Sequence, residues 1–200
     1  FASKVKLHTK YDLDELRTVV NEILSKPFCP TGKSFPKIRI IDLALPQEAQ
    51  EKLLFYREQI SAIQDSSIRD FLMLGLLASI EEASYTSKDG QFLRLVERPP
   101  KPVEVVFENK LREMLVDLTK LDGIKQGSKA QIFLGDARRL PIQALRYKGK
   151  VSGIITSPPY LNRYDYSRTY ALELCLLYNE QGETWVIDFE ALKDIRHSLL

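Results

Sequence analysis

Val151-Ser152-Gly153-Ile154-Ile155 runs without interruption into Thr156-Ser157-Pro158-Pro159-Tyr160. The first five residues are a short apolar run and read as a buried strand. The two prolines then end it, because neither can donate to a sheet ladder and each fixes its own φ. Upstream the arrangement recurs: Gln131-Ile132-Phe133-Leu134 reads as a second strand and leads into Gly135-Asp136-Ala137-Arg138. In an open α/β sheet, ligands bind beyond the carboxyl ends of the strands, so both motifs stand where a site is expected. A rigid Ser-Pro-Pro turn closed by an aromatic ring suits a planar ligand, held at its edge by polar atoms and on its face by Tyr160. The plainer alternative is a strand-terminating turn with no further role.

Ser157-Pro158-Pro159-Tyr160 resembles the catalytic motif of the DNA amino-methyltransferases, which move a methyl group from S-adenosylmethionine to an exocyclic nitrogen of a base. Downstream, Asn162-Arg163-Tyr164-Asp165-Tyr166 and Tyr170-Ala171-Leu172-Glu173-Leu174 are similar to the cytosine-N4 branch of that family. The resemblance covers roughly residues 129–178, about a quarter of the chain. It implies an α/β chain with a partial Rossmann-like, S-adenosylmethionine-dependent methyltransferase fold and a large helical insertion. It also implies roles. Ser157, Pro158, Pro159 and Tyr160 form the catalytic turn. Asp136 accepts a hydrogen bond from the cofactor's adenine amino group, with Ala137 and Thr156 beside the cofactor. Asn162, Arg163, Tyr166 and Arg168 face the nucleic acid. S-adenosylmethionine is the implied cofactor and DNA the implied partner.

The chemistry explains why these residue types suit such a site. An exocyclic amine on cytosine or adenine is a poor nucleophile, because its lone pair is delocalised into the ring. Two acceptors aimed at its N–H groups draw the nitrogen toward a tetrahedral shape and localise the lone pair. Ser157 Oγ and the Pro158 carbonyl are the candidates, and the proline pre-organises the turn. Tyr160 offers a stacking face to a base swung out of the duplex. No strong base is required, since the attacked methyl sits on a sulfonium and proton loss can follow transfer.

This family holds the methionine and ribose of its cofactor with a glycine-rich loop of the Phe-x-Gly-x-Gly kind. The nine glycines here stand at 32, 75, 90, 123, 127, 135, 149, 153 and 182, and no two are spaced Gly-x-Gly. The opening stretch Phe1-Ala2-Ser3-Lys4-Val5-Lys6 resembles the sequence just after the family's second cofactor motif. The expectation is therefore an interior segment of a longer methyltransferase. Its glycine-rich loop would come from an upstream segment or from a complementary subunit.

Composition agrees with a globular protein. Hydrophobic residues make up 44% of the 200 and charged residues 28%, enough to build one or two domains. No run is long and apolar enough for a membrane span and no signal peptide is visible, so the expected location is the cytoplasm. Cys29 and Cys175 lack metal-ligand spacing, and the only histidines are His8 and His197, so no metal site is expected. Both cysteines are expected as reduced packing residues. Residues 129–170 hold eight basic side chains against Asp136 and Asp165, a local charge of +6 in a chain whose net charge is +2. A polyanionic substrate favours that bias; an ordinary solvated surface is the alternative.

The rest reads as mostly helical. Asp12 or Asp14 caps a helix with Leu13, Leu16, Val19, Val20, Ile23 and Leu24 at helical spacing. Pro27, Pro30, Gly32 and Pro36 mark a loop, and Lys37-Ile38-Arg39-Ile40-Ile41-Asp42 reads as a short strand. Pro46 opens a helix carrying Leu53, Leu54, Tyr56 and Ile60. A strongly apolar helix follows Asp65-Ser66-Ser67 and runs to Ile80. Ser87 to Gly90 reads as a turn, Arg98 to Pro102 as a stiff linker, and Val103 to Leu121 as a further helix. Residues 1–122 are thus expected to be a helical insertion or lid, and residues 123–200 the catalytic half of the sheet. Lys88, Arg94, Arg98 and Lys101 are candidate phosphate contacts, with plain solvation the alternative. Tyr85 and Phe92 are candidates for stacking or for the core. Glu173, isolated among leucines, is a candidate acceptor that fixes the loop after the catalytic turn. Two other functions fit part of the pattern: an RNA guanine-N2 methyltransferase, and a nucleic-acid-binding remnant without catalysis.

Overall fold

The computed structural model describes residues 1–90, 92–121, 130–133, 146–156 and 166–177. The chain divides into two compact units, one made of Phe1–Gly123 with Asp165–Leu200 and the other of Ile124–Tyr164.

The first unit is built on helices. After α1 (Ala2–Leu7), Asp12 caps α2 (Leu13–Ser25) by accepting from the Asp14 and Glu15 amides, both at 3.0 Å. That satisfies two of the donors a helix start leaves open. α2 buries Leu16, Val20 and Ile23, a single stripe at helical spacing. α4 (Gln47–Ser61) begins after Pro46, whose fixed φ suits a helix entry. α5 (Ser66–Ser79) is capped by Asp65, which accepts from Ser67 and Ile68 at 2.8 and 2.9 Å. α6 (Val103–Leu121) turns Val103, Val106, Phe107 and Leu111 inward. α5 is apolar around most of its circumference and accordingly lies in the middle of the core. At Gly75 the neighbouring α6 comes so close that a Cβ would stand 2.6 Å from Leu111 Cδ2. An aromatic run ties α4 to α6: Phe55 to Tyr56 at 5.2 Å, then Tyr56 to Phe107 at 4.9 Å between ring centroids.

Two expectations fail in this unit. The stretch 37–42 is not a strand; α3 (Arg39–Ala44) occupies it and buries Ile41 and Ala44. A lone strand would leave its backbone polar groups without partners, whereas a helix satisfies them internally, as in Leu45 N–H donating to Ile41 O at 2.9 Å. Ser87–Gly90 is not simply a turn. β1 (Thr86–Asp89) pairs antiparallel with β2 (Phe92–Leu95), Thr86 opposite Leu95 and Asp89 opposite Phe92. Within that stretch only Gly90, at φ +55°, lies beyond β1 in the reversal, a backbone conformation that glycine adopts without strain. The last described elements of the unit are α7 (Tyr166–Thr169) and α8 (Ala171–Leu177), and α8 buries Leu172, Cys175, Leu176 and Leu177.

In the second unit, residues 130–133 and 146–156 contain no strand. The expected strands at Gln131–Phe133 and Val151–Ile155 are thus corrected over their described residues. Ile154 and Ile155 are 83% and 104% exposed, and Ile132 is exposed as well. The apolar content that marks these runs as strands has no neighbouring strand to cover it among the described residues. Arg146 donates to Gln131 and lies over the Tyr147 ring, 5.1 Å from its centroid. The observed fold is a helical protein with one small two-stranded sheet among the described residues.

Candidate functional site

The expected catalytic residues Ser157, Pro158, Pro159 and Tyr160 lie outside the described residues, as do Asp136, Ala137, Asn162 and Arg163. Three expected site residues are described. Thr156 is exposed and in no regular element; Tyr166 and Arg168 are exposed on α7.

The structure does build one polar centre, at the junction of the hairpin with α7 and α8. α8 is buried on nearly every side, yet it carries Glu173, a carboxylate only 8% exposed. Alternation along β1 puts Thr86 and Lys88 on the same side of the strand. Lys88 Nζ donates to Glu173 Oε1, stands 3.7 Å from Glu81 Oε2, and lies 4.7 Å from the centroid of the Tyr170 ring. The ammonium is thus held by two carboxylates and an aromatic face. Glu81 is itself fixed, since its Oε1 accepts from the Lys88 amide at 3.0 Å and from Ser87 Oγ at 3.4 Å. Arg98 Nη2 donates to the Glu81 and Thr86 carbonyls at 3.1 and 3.3 Å, and the Ser84 and Thr86 hydroxyls meet at 2.6 Å. At the other end of α8, Arg57 Nη1 donates to the Leu176 carbonyl at 3.1 Å. The guanidinium, itself buried, is thus fixed to the backbone of α8.

Glu173 is not fully satisfied. Its Oε2 is buried without a hydrogen-bond partner, and so is Thr169 Oγ1, four positions earlier on α7. Burial accordingly pushes the Glu173 carboxyl above the ordinary glutamate value, and Lys88 only partly opposes this. Burial, with the Glu173 charge behind it, raises the Cys175 thiol to about 12, so that sulfur is a packing atom. Cys29, by contrast, is exposed, against the packing role expected of it.

The four basic candidates for phosphate contact are all engaged within the protein. Lys88 is held as described, Arg98 donates to two carbonyls, Arg94 pairs with Asp89 at 3.2 Å and Lys101 with Glu82 at 2.6 Å. The last two pairs are exposed and weak, so they hold their partners loosely. Tyr85 and Phe92 are exposed and do not belong to the core. A separate pocket of about 400 Å³ lies between α1, α5 and α6, lined by Val5, Tyr11, Phe71, Leu74, Met114 and Leu118. Among the described residues no three His, Cys, Asp or Glu side chains are grouped to hold a metal ion. No helix among them is long and apolar enough to cross a membrane.

The sequence signals Glu173 as a lone acid in an apolar helix. It does not signal the partner, which lies 85 positions away on a strand that reads as a turn.

Comparison with known proteins agrees with the motif. The chain is related along most of its length to the type II methyltransferases. Over 84% of its residues it is 32% identical to type II methyltransferase M.BsoBI of Geobacillus stearothermophilus, and over 72% it is 34% identical to M.AvaI of Nostoc sp. and of Anabaena variabilis. The aligned part amounts to 38% of M.BsoBI and 33% of M.AvaI, so the chain spans between about a third and two fifths of the length of these relatives. No family model matches the chain. No solved structure matches it.

Proposed function

We propose that this chain is part of an S-adenosylmethionine-dependent DNA methyltransferase that modifies an exocyclic amino group, cytosine N4, of a base turned out of the duplex. One observation carries the reading. The Ser157-Pro158-Pro159-Tyr160 motif lies in a chain of which 84% aligns with a type II methyltransferase, far more than the motif and its surroundings. In this reading Ser157 Oγ and the Pro158 carbonyl accept from the amine and localise its lone pair, while Pro159 stiffens the turn. Tyr160 stacks on the extruded base. Asn162, Arg163, Tyr166 and Arg168 meet the nucleic acid, the arginines through its phosphates. Asp136, with Ala137 and Thr156, holds the adenine end of S-adenosylmethionine, which supplies the electrophilic methyl group.

These 200 residues provide for that end of the cofactor alone, because they contain no Gly-x-Gly pair. The methionine end is held by a glycine-rich loop from another segment of a longer protein or from a complementary subunit. Residues 1–122 act as the insertion or lid and 123–200 as the catalytic half of a partial Rossmann-like sheet. A cytoplasmic restriction-modification system is the setting this implies.

The test is direct. DNA treated with the full-length protein and S-adenosylmethionine is digested to nucleosides and read by mass spectrometry. The expected product is 4-methylcytosine. N6-methyladenine would retain the class and correct the base; methylated guanine in RNA, with none in DNA, would replace the reading by the RNA enzyme.

A further inference from the structure

β1 and β2 form a two-stranded ribbon whose faces differ. The register puts Thr86 and Lys88 with Leu93 and Leu95 on one side, and Ser87 and Asp89 with Phe92 and Arg94 on the other. The first side is turned to the rest of the unit: Thr86 is buried, Lys88 donates to Glu173, and Leu93 packs on the core. The second side is open. Phe92 is 57% exposed, and the side chains of Arg94 and Asp89 are 65% and 62% exposed. The tip is open too, since a Cβ added at Gly90 would meet nothing within 4 Å. Stability does not account for these residues, because an exposed ion pair contributes little and an exposed ring buries little. What the face does carry is the side-chain chemistry that reads base edges. An arginine fork donates to O6 and N7 of guanine, a carboxylate accepts from the N4 amino group of cytosine, and a phenyl ring meets the thymine methyl. Arg94 Nη1 stands 3.2 Å from Asp89 Oδ2, so fork and carboxylate are presented side by side, donors next to an acceptor, as the two halves of a G·C pair require. Their charges cancel, so the pair adds discrimination rather than general attraction to phosphate. Strands of four residues make a ribbon about 13 Å long, and the major groove, about 12 Å wide and about 8.5 Å deep, admits such a ribbon.

We propose that the open face of the β1–β2 hairpin is a sequence-reading element: it enters the major groove of the substrate duplex, where Arg94 and Asp89 select a G·C pair and Phe92 meets a nearby thymine methyl. The proposal rests on the DNA methyl-transfer reading above and adds to it a part of the chain that chooses the sequence. None of the three residues takes part in the chemistry. Lys88, bonded on the covered side, seats the ribbon and leaves the reading face free.

The experiment uses the full-length protein. The methylated sequence is first read from genomic DNA treated with wild type and S-adenosylmethionine. Short duplexes carrying that sequence, and each single base-pair change in it, then give kcat/KM for wild type, Arg94→Ala and Arg94→Lys. Both variants should melt as wild type does, because Arg94 is exposed. Both should lose roughly tenfold or more of the discrimination at one G·C pair and keep it at the other positions, the lysine because an ammonium cannot replace a bidentate fork. Phe92→Ser should abolish a preference of wild type for thymine over uracil at one position, uracil being thymine without the methyl. A wild type indifferent to uracil at every thymine removes Phe92 from the proposal. Unchanged discrimination in both Arg94 variants, or kcat/KM lowered equally on every duplex, overturns it and leaves the face a packing or phosphate-contact surface. A wild type that methylates no DNA sinks the methyl-transfer reading instead. The hairpin is then judged by binding alone. Duplexes that wild type selects from a random pool should share a G·C pair that those selected by Arg94→Ala lack, and pools of the same composition overturn the proposal.

Discussion

Tyr160 and Glu173 illustrate how differently single residues reveal themselves. Tyr160 is legible from its neighbours alone, because two prolines and a serine before an aromatic ring are a local pattern. If it stacks on an extruded base, Tyr160→Ala should cost about 1–3 kcal/mol of base binding, while Tyr160→Phe keeps most activity. Equal losses in the two variants, read as kcat/KM on duplex DNA, would assign the role to the hydroxyl. Glu173 is legible only as an oddity, an acid among Leu172, Leu174 and Leu176. Its environment yields a pH dependence with a definite sign. Burial raises its carboxyl above the ordinary glutamate value, with Lys88 opposing and Glu81 reinforcing the shift. The folded state therefore keeps this proton to higher pH than the unfolded chain. The stabilisation is full below the unfolded pKa and is lost as pH rises through the folded one. Denaturant unfolding of wild type and Glu173→Gln from about pH 4 to about pH 7 should show wild type losing ground to the variant as pH rises. A constant difference would mean the carboxyl titrates normally.

Elements divide by whether their signal is local. α2 is readable because Asp12 or Asp14 precedes a helical stripe, and Asp12 is the cap; α5 is readable from its apolar run, and Asp65 proves to cap it. α6 was readable from periodicity over its whole length. α3 and the hairpin depart from the sequence reading because each depends on a partner, and the polar Thr86-Ser87-Lys88-Asp89 carries no strand signal of its own. A short apolar stretch such as Ile38-Arg39-Ile40-Ile41 fits either period, and what decides between them is the partner available. Among the described residues α3 has no strand beside it, while β1 has β2. The α5–α6 contact offers a test at this scale. Gly75→Ala gains up to about 1 kcal/mol in helix propensity. Against that stands the fully buried Leu111, with Cδ2 2.6 Å from the new Cβ. Overpacking of this kind costs about 1–3 kcal/mol, so the variant should be net destabilised in urea unfolding, and Leu111→Val in the same background should recover part of the loss. A variant more stable than wild type would show that the helices part at little cost.

For the whole molecule, the exposed Ile154 and Ile155 are the instructive feature. A run that reads as a core strand stands in the open, and the polypeptide contains no glycine-rich loop. Both facts are met if strands from another segment complete a sheet and cover these exposed apolar side chains. Residues 1–200 alone should consequently transfer no methyl groups and bind S-adenosylmethionine weakly. Adding the remaining segment in trans should restore binding and lower the fluorescence of a hydrophobic dye. Robust turnover by the isolated 200 residues would show that the cofactor site is built some other way. With the sheet complete, DNA affinity should fall steeply with added salt, since basic side chains concentrate in residues 129–170.

What the sequence by itself determined are the features whose physics is local: the helices, their buried stripes and the linker prolines, beside the resemblance that Ser157-Pro158-Pro159-Tyr160 carries. Periodicity and caps act over a few residues and need no partner. What only the tertiary structure decided are the features that depend on distant partners. These are the helix at 39–44, the hairpin at 86–95, the engagement of Lys88, Arg94, Arg98 and Lys101 within the protein, and above all the bond between Lys88 and Glu173. A buried charge can be placed only with its counter-charge, and no local pattern states which residue, 85 positions away, will supply it.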